Sequence, residues 1–251
     1  MSKVYFLGAG PGDPDLITVK AKNILGQADL VIYAGSLVNP EVLKFAKPGA
    51  VLHNSASMDL LPMVEMMATY VKLGRTVARL HTGDPSLYGA IAEQMAELDK
   101  AGIDYEVVPG VSSAFAAAAA LRCELTLPEV NQTVIFTRLE GRTGVPKKES
   151  LGSLASHGTT MVIFLSVKSI DKVVEELKSG YPGDTPVAVV YKASWPVEKI
   201  IRGTLSDIAL KVAAEGIDKT ALIFVGPAIG RDTMKAYSKL YDKDFSHGYR
   251  K

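Results

Sequence analysis

The chain has 251 residues, 47% of them hydrophobic and 22% charged, with a formal net charge of +1 at pH 7. That length allows one large α/β domain or two modest ones with a real apolar core. The near-neutral balance leaves no broad field to draw nucleic acid or an anionic membrane, so a polyanionic ligand has to be met by a local basic patch.

Val4-Tyr5-Phe6-Leu7 is a continuous apolar run closed by glycines, the pattern of a buried parallel strand. The spacing then predicts a helix over 18–28, a second buried strand over 30–33, a short helix over 41–46 and a longer helix over 59–73. The longer one carries Leu60, Met63, Val64, Met67 and Val71 on one face, and core packing accounts for its methionines. Strands over 76–80 and 105–108, with helices over 86–101 and 111–121, continue the alternation. Alternation of this kind indicates a mostly parallel sheet with helices on both faces.

Periodicity breaks from Cys123 to Asn131, and the domain boundary is placed there. The expected organisation is an N-terminal α/β domain over 1–122 and a C-terminal α/β domain over 123–251 that ends in a polar, basic, aromatic tail. In the second domain the pattern predicts strands over 134–137, 161–165, 187–191, 199–203 and 221–225, with helices over 149–156, 170–179 and 205–214. Strands that follow one another after residue 185 point to a mixed sheet. The single cysteine, Cys123, excludes an intrachain disulfide and a thiolate zinc cluster and reads as a small, partly buried residue. Met1-Ser2-Lys3 before an apolar strand is not a signal peptide, and no apolar run approaches the ~20 residues of a membrane helix. A cytoplasmic protein without a membrane or nucleic-acid partner is expected.

The first strand runs into Gly8-Ala9-Gly10-Pro11-Gly12-Asp13-Pro14. Glycines at a strand end let a ligand approach backbone closely. The dinucleotide fingerprint fails here, because its last glycine falls at Asp13 and the second strand ends in Tyr33-Ala34-Gly35-Ser36 without an acid for a ribose. Pro11 and Pro14 also lack the N–H groups a pyrophosphate would use. A P-loop is excluded, since no Gly-Lys-Ser/Thr follows. A glycine turn that merely reverses the chain remains the plain alternative.

Three turns in order, each after a predicted strand, carry a resemblance. They are Gly8 to Thr18, Thr82-Gly83-Asp84-Pro85 and Pro109-Gly110-Val111-Ser112-Ser113. Together they resemble the tetrapyrrole methyltransferases over essentially the whole chain. The segments His81 to Ala90, Thr137 to Thr143, Val190 to Pro196 and Lys239 to Gly248 are similar to the branch that methylates C11 of precorrin-4 or cobalt-precorrin-4. Thr82 stands where uroporphyrinogen-type members usually carry a glycine, which argues for a corrin-pathway step in cobalamin biosynthesis.

The resemblance implies two α/β domains with the cofactor, S-adenosylmethionine, folded into a cleft between them, and a homodimer. Pro11 would line that cleft. Thr82, Gly83, Asp84 and Leu87 would hold the amino-acid and ribose portions, with Ser112 and Ser113 supplying hydroxyl and backbone contacts. Leu165, Ala193, Pro227 and Ala228 would meet the adenosine. The substrate is a small tetrapyrrole with a ring of carboxylates, so arginine and lysine are expected around it. Candidates are Arg138, Arg142 and Lys192, with Asp13 of the first loop and Lys243, His247 and Arg250 of the tail. Solvated surface explains any one of these cations equally well. Trp195 beside Lys192 either stacks on the macrocycle or packs within the protein.

Methyl transfer is an in-line displacement by a ring carbon, so no protein nucleophile and no metal ligand is required. His81 and Asp84 are the nearest groups for a proton transfer, but His81 also reads as an ordinary strand-end residue and Asp84 as a turn former before proline. The rival readings are another methylation step of the same family, a family member acting on RNA or protein, a nucleotide-binding oxidoreductase, and a scaffold that has lost turnover. An RNA enzyme would carry a net basic domain, which this chain does not.

Overall fold

The computed structural model describes residues 2–35, 37–141, 143–230, 238, 245, 246 and 248. Contacts divide the chain into two compact units. Unit 1 takes Met1–Ala116 with Ala193–Pro196, and unit 2 takes Ala117–Lys192 with Val197–Lys251.

Unit 1 holds β1 (Val4–Gly8), β2 (Leu30–Tyr33), β3 (Val51–Asn54), β4 (Val77–His81) and β5 (Tyr105–Val108) in the order β3-β2-β4-β1-β5. All of its pairings are parallel. Alternate side chains serve two apolar layers. Val4 and Phe6 of β1 pack with Met63, Val64 and Met67 of α2 (Leu60–Lys72) and Leu98 of α3 (Ile91–Lys100). Leu7 packs on the other face with Ala21 and Leu25 of α1 (Val19–Leu25). The methionines of α2 are core residues. α1 starts at Thr18 because its hydroxyl accepts the Ala21 N–H at 3.2 Å, a side-chain cap.

Unit 2 holds β6 (Val134–Arg138), β7 (Thr160–Phe164), β8 (Pro186–Tyr191), β9 (Lys199–Thr204) and β10 (Ala221–Val225) in the order β6-β7-β10-β8-β9. Only β6 and β7 run parallel; the other pairings are antiparallel, so the sheet is mixed. Its main core joins Met161, Ile163, Val189 and Ile223 to residues of α5 (Leu151–Ala155), α6 (Ile170–Leu177) and α7 (Ile208–Ala214).

Three details depart from the pattern reading. β3 went unread because its edge position leaves Val51 and Leu52 exposed at 39% and 46%, so no apolar run marks it. The helix expected over 86–101 begins only at Ile91. Tyr88 and Ala90 adopt φ of 57° and 49°, which no right-handed helix can contain. The short helix at 41–46 is a 3-10 turn, Pro40–Phe45, entered through a proline and capped by Asn39.

Between α4 (Ser113–Leu121) and β6 the chain has no strand or helix, yet it is anchored by a buried polar knot. The Asn131 amide donates to the carbonyls of Leu125 and Thr133 at 2.9 Å and to the Thr160 hydroxyl at 2.7 Å, and its oxygen accepts the Thr160 N–H at 3.2 Å. The Thr159 hydroxyl donates to the same amide oxygen, and the Tyr181 hydroxyl to the Thr159 carbonyl. Truncating Asn131 strands several buried groups at once, each costly when unpaired. Asn131→Ala should therefore lower the unfolding free energy by about 3 kcal/mol in urea titrations, against about 0.5 kcal/mol for exposed Gln132→Ala.

Candidate active site

The C-terminal ends of β1, β4 and β5 meet backbone to backbone. A Cβ on Gly110 would lie 2.2 Å from the Gly83 carbonyl oxygen and 2.7 Å from the Gly8 Cα, so only glycine allows this approach. An isolated bridge sews the first two loops together, Gly83 N–H to the Gly10 carbonyl at 2.8 Å and Gly10 N–H to the Gly83 carbonyl at 3.3 Å. The Ala9 N–H goes to the His81 carbonyl at 2.8 Å. The Thr18 hydroxyl donates to the Pro109 carbonyl at 3.4 Å, tying in the third loop.

Asp84 is part of this knot. One carboxylate oxygen accepts the Ser86 N–H at 2.8 Å and the other accepts the Gly110 N–H at 2.9 Å. It thus clamps the second loop to the third. Ser112 is buried and its hydroxyl accepts the Ala114 N–H at 3.3 Å at the start of α4. Thr82, Leu87 and Ser113 are half-buried around the same strand ends. Of the expected set, Pro11, Asp13, Thr82, Gly83, Asp84, Leu87, Ser112, Ser113 and Ala193 belong to unit 1.

Several N–H groups of the loops are taken up or missing. Those of Ala9, Gly10, Gly83 and Gly110 are all engaged within the protein, and Pro11, Pro14, Pro85 and Pro109 have none. A phosphate needs a nest of such donors.

Beneath these loops lies a buried polar layer. Arg79 is 6% exposed; its guanidinium donates to Gln94 Oε1 at 3.1 Å and to the carbonyls of Ile32 and Leu80 at 3.4 and 3.3 Å. Burial lowers its pKa to about 10, still far above neutrality. His81 is 5% exposed, and its Nε2 has no hydrogen-bond partner. Burial first, and the Arg79 charge second, lower its pKa to about 3, against a weaker opposing pull from the Gly89 carbonyl. Burial thus favours the neutral form of the His81 imidazole over the charged one.

Unit 2 places the remaining candidates on its own elements. Leu165, just past β7, is 72% exposed at a φ of 55°, an unusual combination for a large apolar side chain. Ala228 is buried in the 3-10 turn Pro227–Ile229, and its carbonyl accepts from the Cys123 thiol at 3.0 Å. Burial raises the Cys123 pKa, in keeping with a structural thiol. The Arg138 guanidinium donates to the carbonyls of Leu139, Thr143 and Gly144 at 3.0–3.3 Å, so it shapes the loop after β6. Lys192 adopts a φ of 44° with its ammonium 5.5 Å from the Tyr191 ring centre. Arg142, Lys243, His247 and Arg250 lie outside the described residues.

Trp195 packs. Its indole N–H donates to the Pro11 carbonyl at 3.0 Å and its ring covers Gly12. Pattern reading missed Asn39, whose buried amide donates to the Gly12 carbonyl at 2.8 Å. Its only sequence signal was an Asn-Pro pair, which reads as a local cap. Among the described residues no cluster of His, Cys, Asp and Glu is placed to hold a metal ion, and no helix is long and apolar enough to cross a membrane.

Five-stranded parallel and mixed sheets, with three glycine turns at the strand ends of the first, define a two-unit α/β protein. A family model described as tetrapyrrole (corrin/porphyrin) methylases matches residues 3–209, and the chain belongs to that family. It is 60% identical over 250 residues to the cobalt-precorrin-4 C(11)-methyltransferase of Methanocaldococcus jannaschii, covering 99% of this chain and 96% of the relative. Among solved structures, a cobalamin biosynthetic enzyme, cobalt precorrin-4 methyltransferase, superposes with a TM-score of 0.89 at 52% identity, covering 91% of this chain and 96% of the other. The uroporphyrin-III C-methyltransferase of Thermus thermophilus, complexed with S-adenosylhomocysteine, gives 0.75 at 28% identity, covering 91% and 93%.

Two predictions follow from this geometry. Asp84→Asn replaces one acceptor by a donor facing a backbone N–H, and should cost about 1–3 kcal/mol in the ligand-free protein. A ligand-free melting curve identical to wild type would remove the clamp. For His81, the unfolded imidazole titrates near 6.5 and the folded one near 3, so the unfolded chain binds the extra proton between those values and stability falls as pH falls through that window. From pH 7 to pH 5 the wild type should lose about 2 kcal/mol more than His81→Gln in urea titrations.

Proposed function

We propose that this enzyme transfers a methyl group from S-adenosylmethionine to C11 of precorrin-4, in its cobalt-containing or cobalt-free form, in cobalamin biosynthesis. The observation that carries the reading is the end-to-end likeness to enzymes named for that step, at 60% and 52% identity. The first loop, with Pro11 and Pro14 in place of N–H groups a pyrophosphate would use, supports a sulfonium ligand over a dinucleotide. The T. thermophilus relative is complexed with the demethylated product of the same donor.

The donor supplies an electrophilic methyl on a sulfonium cation. Gly83 and the Gly10–Pro11 turn bring backbone close to it, and Thr82, Leu87, Ser112, Ser113 and Ala193 complete the rim. Leu165, Pro227 and Ala228 are assigned to the adenosine, for which an exposed, conformationally strained leucine is a fitting partner. Asp84 acts by holding two loops in register and by adding negative charge near the cation. Asp13, Arg138, Arg142 and Lys192 are assigned to the substrate, with Arg138 acting through the loop it organises. Catalysis then rests on alignment of carbon, methyl and sulfur, worth several kcal/mol without a protein nucleophile. His81 and Asp84 are the nearest groups for any accompanying proton transfer, and burial favours the neutral form of His81, which accepts a proton rather than donates one. We assign the enzyme to the cytoplasm, as a homodimer.

Labelled S-adenosylmethionine should be incubated with enzymatically made precorrin-4, with and without cobalt. A labelled product with the new methyl at C11 by mass and NMR is expected; no labelled product from either form overturns the assignment. S-adenosylhomocysteine, and not NAD, should raise the melting temperature.

A further inference from the structure

The loop from Gly10 to Pro14 owes its path to groups distant in sequence. Asn39 holds the Gly12 carbonyl at 2.8 Å, Trp195 the Pro11 carbonyl at 3.0 Å, and the Asp13 N–H donates to the Ser194 hydroxyl at 3.0 Å. Two of the three holds come from the segment Ala193–Pro196, which clusters with unit 1 although it lies between β8 and β9. That segment is entered and crossed in left-handed conformations, Lys192 at φ 44° and Ser194 at φ 68°. Non-glycine residues persist there only where their surroundings over-determine them, and such strain gathers at functional sites. The indole also fills the room a side chain at position 12 would need: a Cβ on Gly12 would lie 2.1 Å from Cδ1 and 2.2 Å from Nε1 of Trp195.

We propose that Trp195 is the positioning residue of the methyl-donor loop. Seated on Gly12 and bonded to the Pro11 carbonyl, it sets where the Pro11–Asp13 backbone stands against donor and substrate. The assignment rests on the reading of Pro11 and Asp13 as donor-side and substrate-side residues. In-line transfer is steeply sensitive to placement, with a shift of about 1 Å costing about 100-fold. A loop released from the indole therefore still binds its ligands and aligns them badly, so kcat falls more than KM rises.

Trp195→Phe keeps a ring and loses the N–H. Trp195→Ala loses both. Gly12→Ala expels the ring from the other side. Calorimetry with S-adenosylhomocysteine counts intact sites in each variant, separating misalignment from misfolding. Trp195→Phe should keep its melting temperature and stoichiometric binding, and lower kcat about fivefold or more with KM for the tetrapyrrole within about threefold. Adding Gly12→Ala to Trp195→Ala should cost nothing further, because both changes strike one contact. A kcat loss in Trp195→Phe below about fivefold, or additive losses in the double variant, overturns the proposal.

Trp195 is the only tryptophan in the chain, so its emission reads the same contact without turnover. S-adenosylhomocysteine should shift that emission in the wild type, and Gly12→Ala should shift the ligand-free emission toward that of a more solvated indole. Unchanged emission in Gly12→Ala overturns the seating of the ring. A wild type that neither binds S-adenosylhomocysteine nor methylates the corrin sinks the functional reading instead, and the Gly12→Ala emission still decides the contact.

Discussion

At the ends of β1, β4 and β5 the backbones of Gly8, Gly83 and Gly110 lie closer than any side chain allows. This crossing needs parallel neighbours, and the order β4-β1-β5 within the sheet supplies them. Once the three loops touch, their N–H groups find partners on one another, through the Gly10–Gly83 bridge and the Asp84 carboxylate.

The polar layer below the crossing has a different character. Arg79 and His81 lie on a fully buried strand, and neither touches a carboxylate among the described residues. Arg79 keeps its charge by spreading its donors over Gln94 and two strand-end carbonyls, while His81 gives up protonation. An arginine buried among dipoles stiffens the sheet where the loops emerge. A neutral histidine beside it avoids a second buried positive charge.

Several residues named for binding prove to be occupied with structure. Asp84 clamps loops, Arg138 gathers three carbonyls and Ala228 receives the Cys123 thiol. These contacts fix the backbone of the segments that carry them. Trp195 belongs to the same economy of support, acting on the first loop through Pro11 and Gly12.

The sequence by itself determined the parallel first sheet, the mixed second sheet, the glycine turns and the family, because apolar periodicity and short ordered motifs are local properties. It also showed departures from the dinucleotide fingerprint, since missing glycines and added prolines can be read without coordinates. Tertiary structure decided what depends on pairs distant in the chain. Residues 27 apart bring Asn39 to Gly12, and residues 184 apart bring Trp195 to Pro11. β3 stayed hidden because an exposed edge strand has no apolar alternation to show, and the delayed start of α3 because positive φ at Tyr88 and Ala90 is imposed by packing. Whether an acid is a ligand or a clamp, as with Asp84, depends on which N–H groups the fold carries to its two oxygens, and no pattern along the chain records that.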